Sequence, residues 1–174
     1  MEAKYYPLEI EEKWSKIWSE RTLDKTSHKN SFSQVIPPPN VTGTLHMGHS
    51  FQYAIMDFYT RYHHMQGTNS YWQVGSDHAG IATQMVVENN LANEGKTKND
   101  LGRDKFLEEI WKWKDFSEDK ITSQIKRLGC TVEWDKYRFT FDDEFCDTVN
   151  KAFVELFRSG KLYRGYRLSL IHIS

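Results

Sequence analysis

The 174-residue chain is 39% hydrophobic, enough for one ordinary core at about 100–200 residues per domain. With 23 basic and 24 acidic residues its formal net charge is -1, which excludes recognition of nucleic acid by bulk positive charge, and ten Phe, nine Tyr and six Trp exclude a disordered chain. Cys130 and Cys146 form no Cys-x-x-Cys pair and read as incidental thiols of a reducing compartment. No signal-peptide pattern and no window near the roughly 20 apolar residues of a membrane span occurs, so a cytoplasmic protein without a membrane partner is expected.

In chain order, Ile10, Trp14 and Ile17 recur at helical spacing, predicting an amphipathic arm over residues 1–30 that ends in a polar loop through Asn30. Ser31 to Ile36 reads as a short strand stopped by Pro37-Pro38-Pro39, because proline cannot donate to a sheet ladder. Phe51, Ile55, Phe58, Tyr62 and Met65 mark one face of a long helix ending near Gly67. Tyr71 to Val74 is a second strand, halted at Gly75, and Ile81 to about Glu94 a second helix closed by Gly95. Strand, helix, strand, helix predicts an α/β fold of the doubly wound class, with a parallel sheet and ligands beyond the carboxyl ends of its strands. Further helical stripes follow at Phe106, Ile110 and Trp113, at Ile121, Ile125 and Leu128, and at Val149, Phe153 and Leu156. The Trp111-Lys112-Trp113-Lys114 segment lies within such a stripe and reads as packing, not as a nucleic-acid contact.

Two turns carry candidate chemistry. Leu45-His46-Met47-Gly48-His49 opens the first long helix, where backbone N–H groups and about half a unit of positive helix-end charge favour an anion. His46 and His49 share a helical face and can both donate to one phosphate, while Gly48 lets a flat base approach the backbone; a plain surface pair has the same spacing. His63 and His64 are adjacent, lie on different faces and receive no role. Gly75-Ser76-Asp77-His78-Ala79-Gly80 follows the second strand, where Asp77 can bind an ammonium group or cap the next helix; His78 is unassigned.

The first turn resembles the His-x-Gly-His signature of class I aminoacyl-tRNA synthetases, and its lead-in Pro37-Pro38-Pro39-Asn40-Val41-Thr42-Gly43 is similar to their valine-specific branch. Gly75 to Gln84 matches the same branch, with Ser76 where Thr is usual, and similarity continues through Leu101-Gly102-Arg103, Arg127-Leu128-Gly129 and Leu162-Tyr163-Arg164-Gly165. The resemblance covers nearly the whole chain. It implies the N-terminal half of a Rossmann-like parallel-sheet catalytic domain over residues 31–168, preceded by the helical arm over residues 1–30. It also implies ATP-dependent activation of valine and transfer to tRNA(Val) by a protein that is monomeric when intact, with ATP and Mg2+ as substrate and no resident metal. The catalytic residues would be His46 and His49; Asn40, Thr44 and Gly48 would join them around ATP, and Pro37, Pro38 and Asp77 would hold valine.

The family continues into an Asn-Trp-containing segment, whereas Leu168 to Ser174 resembles a translated sequencing-adapter end, so residues 169–174 are expected to be an artefactual tail. No Lys-Met-Ser-Lys-Ser loop occurs in these residues, and without its charge at the transferring phosphate little or no activity is expected of them alone. Half a sheet also implies an uncovered apolar face. The alternatives are a catalytically dead, synthetase-derived binding module and another nucleotidyltransferase with a two-histidine turn.

Overall fold

Ser31–Val35 (β1) pairs in parallel with Asn69–Gln73 (β2), in a register from Ser31 opposite Asn69 to Val35 opposite Gln73. The crossover between them is the helix Met47–Met65 (α2), as strand–helix–strand spacing requires of a parallel pair. The computed structural model from which this geometry is taken describes residues 6–19 and 30–166. Most of the expected polar loop and the tail from Leu168 lie outside the described residues. Before β1 runs the helix Pro7–Ser19 (α1), the expected arm.

Gly75–Ser76 (β3) continues β2 after Val74 and pairs in parallel with Arg138–Phe139 (β4). Ile36 donates to Gln73 O at 2.9 Å while Arg138 N donates to Val74 O at 3.2 Å. Consecutive residues of a strand present their backbone groups to opposite edges, so segment 69–76 is central, with β1 on one side and β4 on the other. The helix Gly80–Asn93 (α3) and the long helix Lys98–Arg127 (α4) lie between β3 and β4 in sequence. The architecture is the mixed α/β arrangement with parallel strands that the element order predicted. β4 and the short 3-10 turn Trp134–Lys136 were not legible, because two or three residues carry no period.

Ile36, Trp72 and Val74 on one sheet face, Tyr53 of α2, and Ile121 and Ile125 of α4 form the main core. Each such fully buried side chain contributes about 1.5–3 kcal/mol of transfer free energy. A second cluster joins Val87 and Leu91 of α3 to Phe106 of α4. The two stripes read separately at residues 106–113 and 121–128 share α4, which starts at a Thr97–Asp100 capping box and breaks its helical path at Gly102 (φ 74°). α1 docks through Trp18, whose ring lies under the Arg61 guanidinium at 5.3 Å, and through Glu11, which pairs with Arg127 at 3.1 Å.

The five-residue stripe of α2 does share one face, but that face is open: Phe51 is 70%, Phe58 64% and Met65 83% exposed. The buried face is Tyr53, Met56 and Thr60, where Gln34 of β1 donates to Met56 O at 2.6 Å. Asp57 bonds Arg61 at 2.6 Å and accepts from Thr131 N at 2.7 Å, and Arg61 donates to Gly129 O at 2.7 Å, tying α2 to the turn after α4. The chain divides into two compact units between Phe139 and Thr140. The second contains the helix Asp143–Arg158 (α5), none of whose residues is buried. Among the described residues no helix is long and apolar enough to cross a membrane.

Candidate active site

The two turns are hydrogen-bonded to each other. Beyond β1 the proline run stays extended, Asp77 N donates to Pro39 O at 2.9 Å, and Val41 N donates to Asp77 O at 3.0 Å, so Asn40 and Asp77 form a parallel bridge. A proline run can serve here because only its carbonyl is needed. Pro37, Pro38 and Asn40 are exposed and Pro39 is buried, so the candidate residues at the strand end face outward beside the half-buried Asp77. Both turns lie at the carboxyl ends of their strands, as the doubly wound reading expected.

At the first turn His46 is the N-cap of α2, and the two histidines form a reciprocal capping box. His46 Nδ1 accepts from Gly48 N at 3.1 Å and His49 Nδ1 accepts from His46 N at 3.2 Å, with the rings tilted at 3.9 Å between centroids. A neutral imidazole has one donor and one acceptor nitrogen, so spending both Nδ1 atoms as acceptors fixes the protons on Nε2. The surface-pair reading is thereby refined: the spacing of three serves the cap and leaves two Nε2–H donors. The backbone N–H groups expected to meet an anion are largely taken, since those of His49 and Ser50 donate to His46 O at 2.9 and 3.2 Å. What this helix start offers outward is its positive field and two imidazoles.

Gly48 has a second reason to be glycine beyond the approach of a flat base. A Cβ there would stand 2.9 Å from His46 Cε1, too close to the ring that caps the helix unless that ring shifts. Burial at the helix start, and then the neighbouring His46, hold the His49 imidazole below its ordinary pKa. One turn on, Tyr53 is buried, its pKa pushed up to about 12 by desolvation first, and its hydroxyl reaches Pro37 O at 3.5 Å.

At the second turn the capping alternative for Asp77 is not what the chain does. The N-cap of α3 is Ala79, in the left-handed region at φ 43°, with no side-chain capping bond. Asp77 Oδ1 instead lies 3.4 Å from His78 Nδ1, and His78 O accepts from Thr83 Oγ1 at 2.7 Å. Ser76 is fully buried and donates to Glu118 Oε1 at 2.9 Å. A Cβ on Gly75 would meet Arg138 O at 2.3 Å, so glycine is required where β3 and β4 approach. Sequence reasoning missed Glu118. The signal was a polar residue next to an apolar stripe at Phe106, Ile110, Trp113 and Ile121.

A parallel sheet that passes through a proline run into a helix start capped by two histidines, bridged there to a carboxylate-bearing turn, defines an α/β protein with polar groups gathered at its strand ends. Residues 9–172 match the family of tRNA synthetases class I (I, L, M and V), and the chain belongs to that family. It is 53% identical to the valine--tRNA ligase of Acinetobacter baylyi over 165 residues, which is 94% of this chain and 17% of the relative. It is 51% identical to the valine--tRNA ligase of Neisseria meningitidis serogroup A over 168 residues, 95% of this chain and 18% of the relative. The chain thus spans less than a fifth of the length of these curated relatives. The crystal structure of the LeuRS-tRNA-LeuAMS ternary complex from Agrobacterium radiobacter K84 is similar at TM-score 0.69 and 22% identity, over 93% of this chain and 19% of that one, a likeness of fold.

Proposed function

We propose that these residues form the ATP- and valine-binding part of an enzyme that activates valine and transfers it to tRNA(Val), acting in the cytoplasm as a monomer. The observation that supports the reading is the Asn40–Asp77 bridge, which sets the segment leading into the first turn beside the second turn. In the reaction a valine carboxylate oxygen attacks the α-phosphorus of ATP and pyrophosphate leaves; a terminal ribose hydroxyl of the tRNA then attacks the acyl carbon of valyl-adenylate, losing its proton as AMP leaves. His46 and His49 donate through Nε2–H to phosphate oxygens, where fixed donors act on developing charge. Asn40, Thr44 and Gly48 lie against the nucleotide. Asp77 takes the α-ammonium of valine, and Pro37 and Pro38 form a wall for its side chain. Mg2+ arrives on the phosphates of ATP.

No protein nucleophile is needed, and rate comes from positioning and charge stabilisation. The test is exchange of labelled pyrophosphate into ATP by the full-length gene product. Exchange that depends on valine supports the reading. ATP bound without any amino-acid-dependent exchange would favour a binding module derived from a synthetase, and dependence on a different carboxylate would favour another nucleotidyltransferase.

A further inference from the structure

One face of α4 hydrogen-bonds the irregular backbone that leads into the first turn. Trp113 Nε1 donates to Val41 O at 3.0 Å, Ser117 Oγ donates to Gly43 O at 2.9 Å, and Leu45 N donates to Gln124 Oε1 at 2.9 Å. Residues 113, 117, 121 and 124 follow at intervals of three and four, so they share a face, and Ile121 between them is core at 1% exposure. Beside this row Glu118 accepts from Ser76 Oγ at 2.9 Å and from Tyr137 OH at 2.7 Å through Oε1, while its Oε2 pairs with Lys114 at 2.6 Å. Segment 41–45 is neither helix nor strand, so its inward backbone groups need partners of this kind.

We propose that this face of α4 is the positioning element of the site, holding the His46/His49 turn and the Asp77 turn at a fixed separation, with Gln124 as its decisive residue. This rests on the activation reading given above. Leu45 directly precedes the capping His46, so the bond from Leu45 N–H to Gln124 Oε1 fixes the Thr44–Leu45 peptide, one residue before the Cα that carries the His46 imidazole. Trp113 and Ser117 hold the segment two residues at a time before it, and Glu118 holds the residue before Asp77. All four side chains come from one stretch of the same helix, between Trp113 and Gln124. A rigid helix therefore transmits any shift of one turn to the other. Reaction rates are sensitive to such placement, with about 1 Å of displacement costing about 100-fold.

Two variants of the full-length gene product test this. Gln124→Met keeps the length and removes the acceptor; Gln124→Glu keeps an acceptor oxygen for Leu45 N–H. The Met variant is expected to lose about tenfold in kcat for valine-dependent pyrophosphate exchange, with KM for valine within about twofold, and the Glu variant to recover to within about threefold of the parent. The Leu45 amide, read by hydrogen exchange, should exchange about tenfold faster in the Met variant while the Ile121 amide keeps its rate. Parental kcat and parental Leu45 exchange in the Met variant would overturn the proposal. So would equal losses in both variants accompanied by faster exchange at Ile121, which reports general loosening of the core. If the parent itself shows no valine-dependent exchange, the activation reading fails, and the Leu45 amide rate still decides whether Gln124 holds the turn.

Discussion

His46 does two things in this structure: its Nδ1 caps α2 by accepting from Gly48 N, and its Nε2 is left as an outward donor. Two substitutions separate them. His46→Ala removes both, and loss of a capping acceptor costs about 0.5–2 kcal/mol. At roughly 2–4 °C of Tm per kcal/mol for a domain of about 150–250 residues, and less in a longer protein, the melting midpoint should fall by at most about 8 °C. His46→Asp keeps an acceptor at the N-cap and adds a carboxylate to the positive end of the helix, worth about 0.3–1 kcal/mol. Its Tm should equal or exceed the parent's. Both variants lose the Nε2–H, and removal of one preorganised donor costs about 100- to 1000-fold in rate. Thermal melts and valine-dependent pyrophosphate exchange, measured on the same full-length preparations, therefore should move in opposite directions for the Asp variant. An Asp variant that retains the parental exchange rate would refute the donor role, and one that melts well below the Ala variant would refute the capping role.

Gly75→Ala should lose about 1–3 kcal/mol in urea unfolding, because the added Cβ overlaps Arg138 O, whereas Gly43→Ala, with nothing within 4 Å of its Cβ, should stay within about 0.5 kcal/mol. The pH dependence follows from the lowered His49 pKa: the unfolded imidazole binds a proton more readily than the folded one, so stability is full above the unfolded value of 6.5 and is lost as pH falls through the lower folded value. Protonation also destroys the Nδ1 acceptor that bonds His46 N, and urea melts from pH 8 to about pH 5 should show this loss in the parent and less of it in His49→Asn. Burial first, and the Asp57 carboxylate second, push the Cys130 thiol up to about 12, so iodoacetamide at about pH 8 should label Cys146 well before Cys130, as peptide mass mapping would show.

The sequence by itself determined the types of the longer elements and which residues stand in the two turns. Periodicity is local, so α1, α2, α3 and α5 were readable from residues such as Ile10, Phe51 and Val149, and the proline run and Gly75 announced where the strands stop. The residues of both turns were legible for the same reason: helix-start glycine and histidine, and a carboxylate after a strand, are contiguous. What only the tertiary structure decided depends on contacts across the chain. The stripe of α2 was taken from spacing, which says which residues share a face and nothing about what covers it, and the face toward the core is instead Tyr53, Met56 and Thr60. The Asn40–Asp77 bridge joins positions 37 apart, and the bonds of α4 to segment 41–45 span more than 70 residues. Even the tautomer of the two histidines came from the fold. Two ring nitrogens are equivalent in a sequence, and they differ only once the backbone of α2 bends round to donate to one of them.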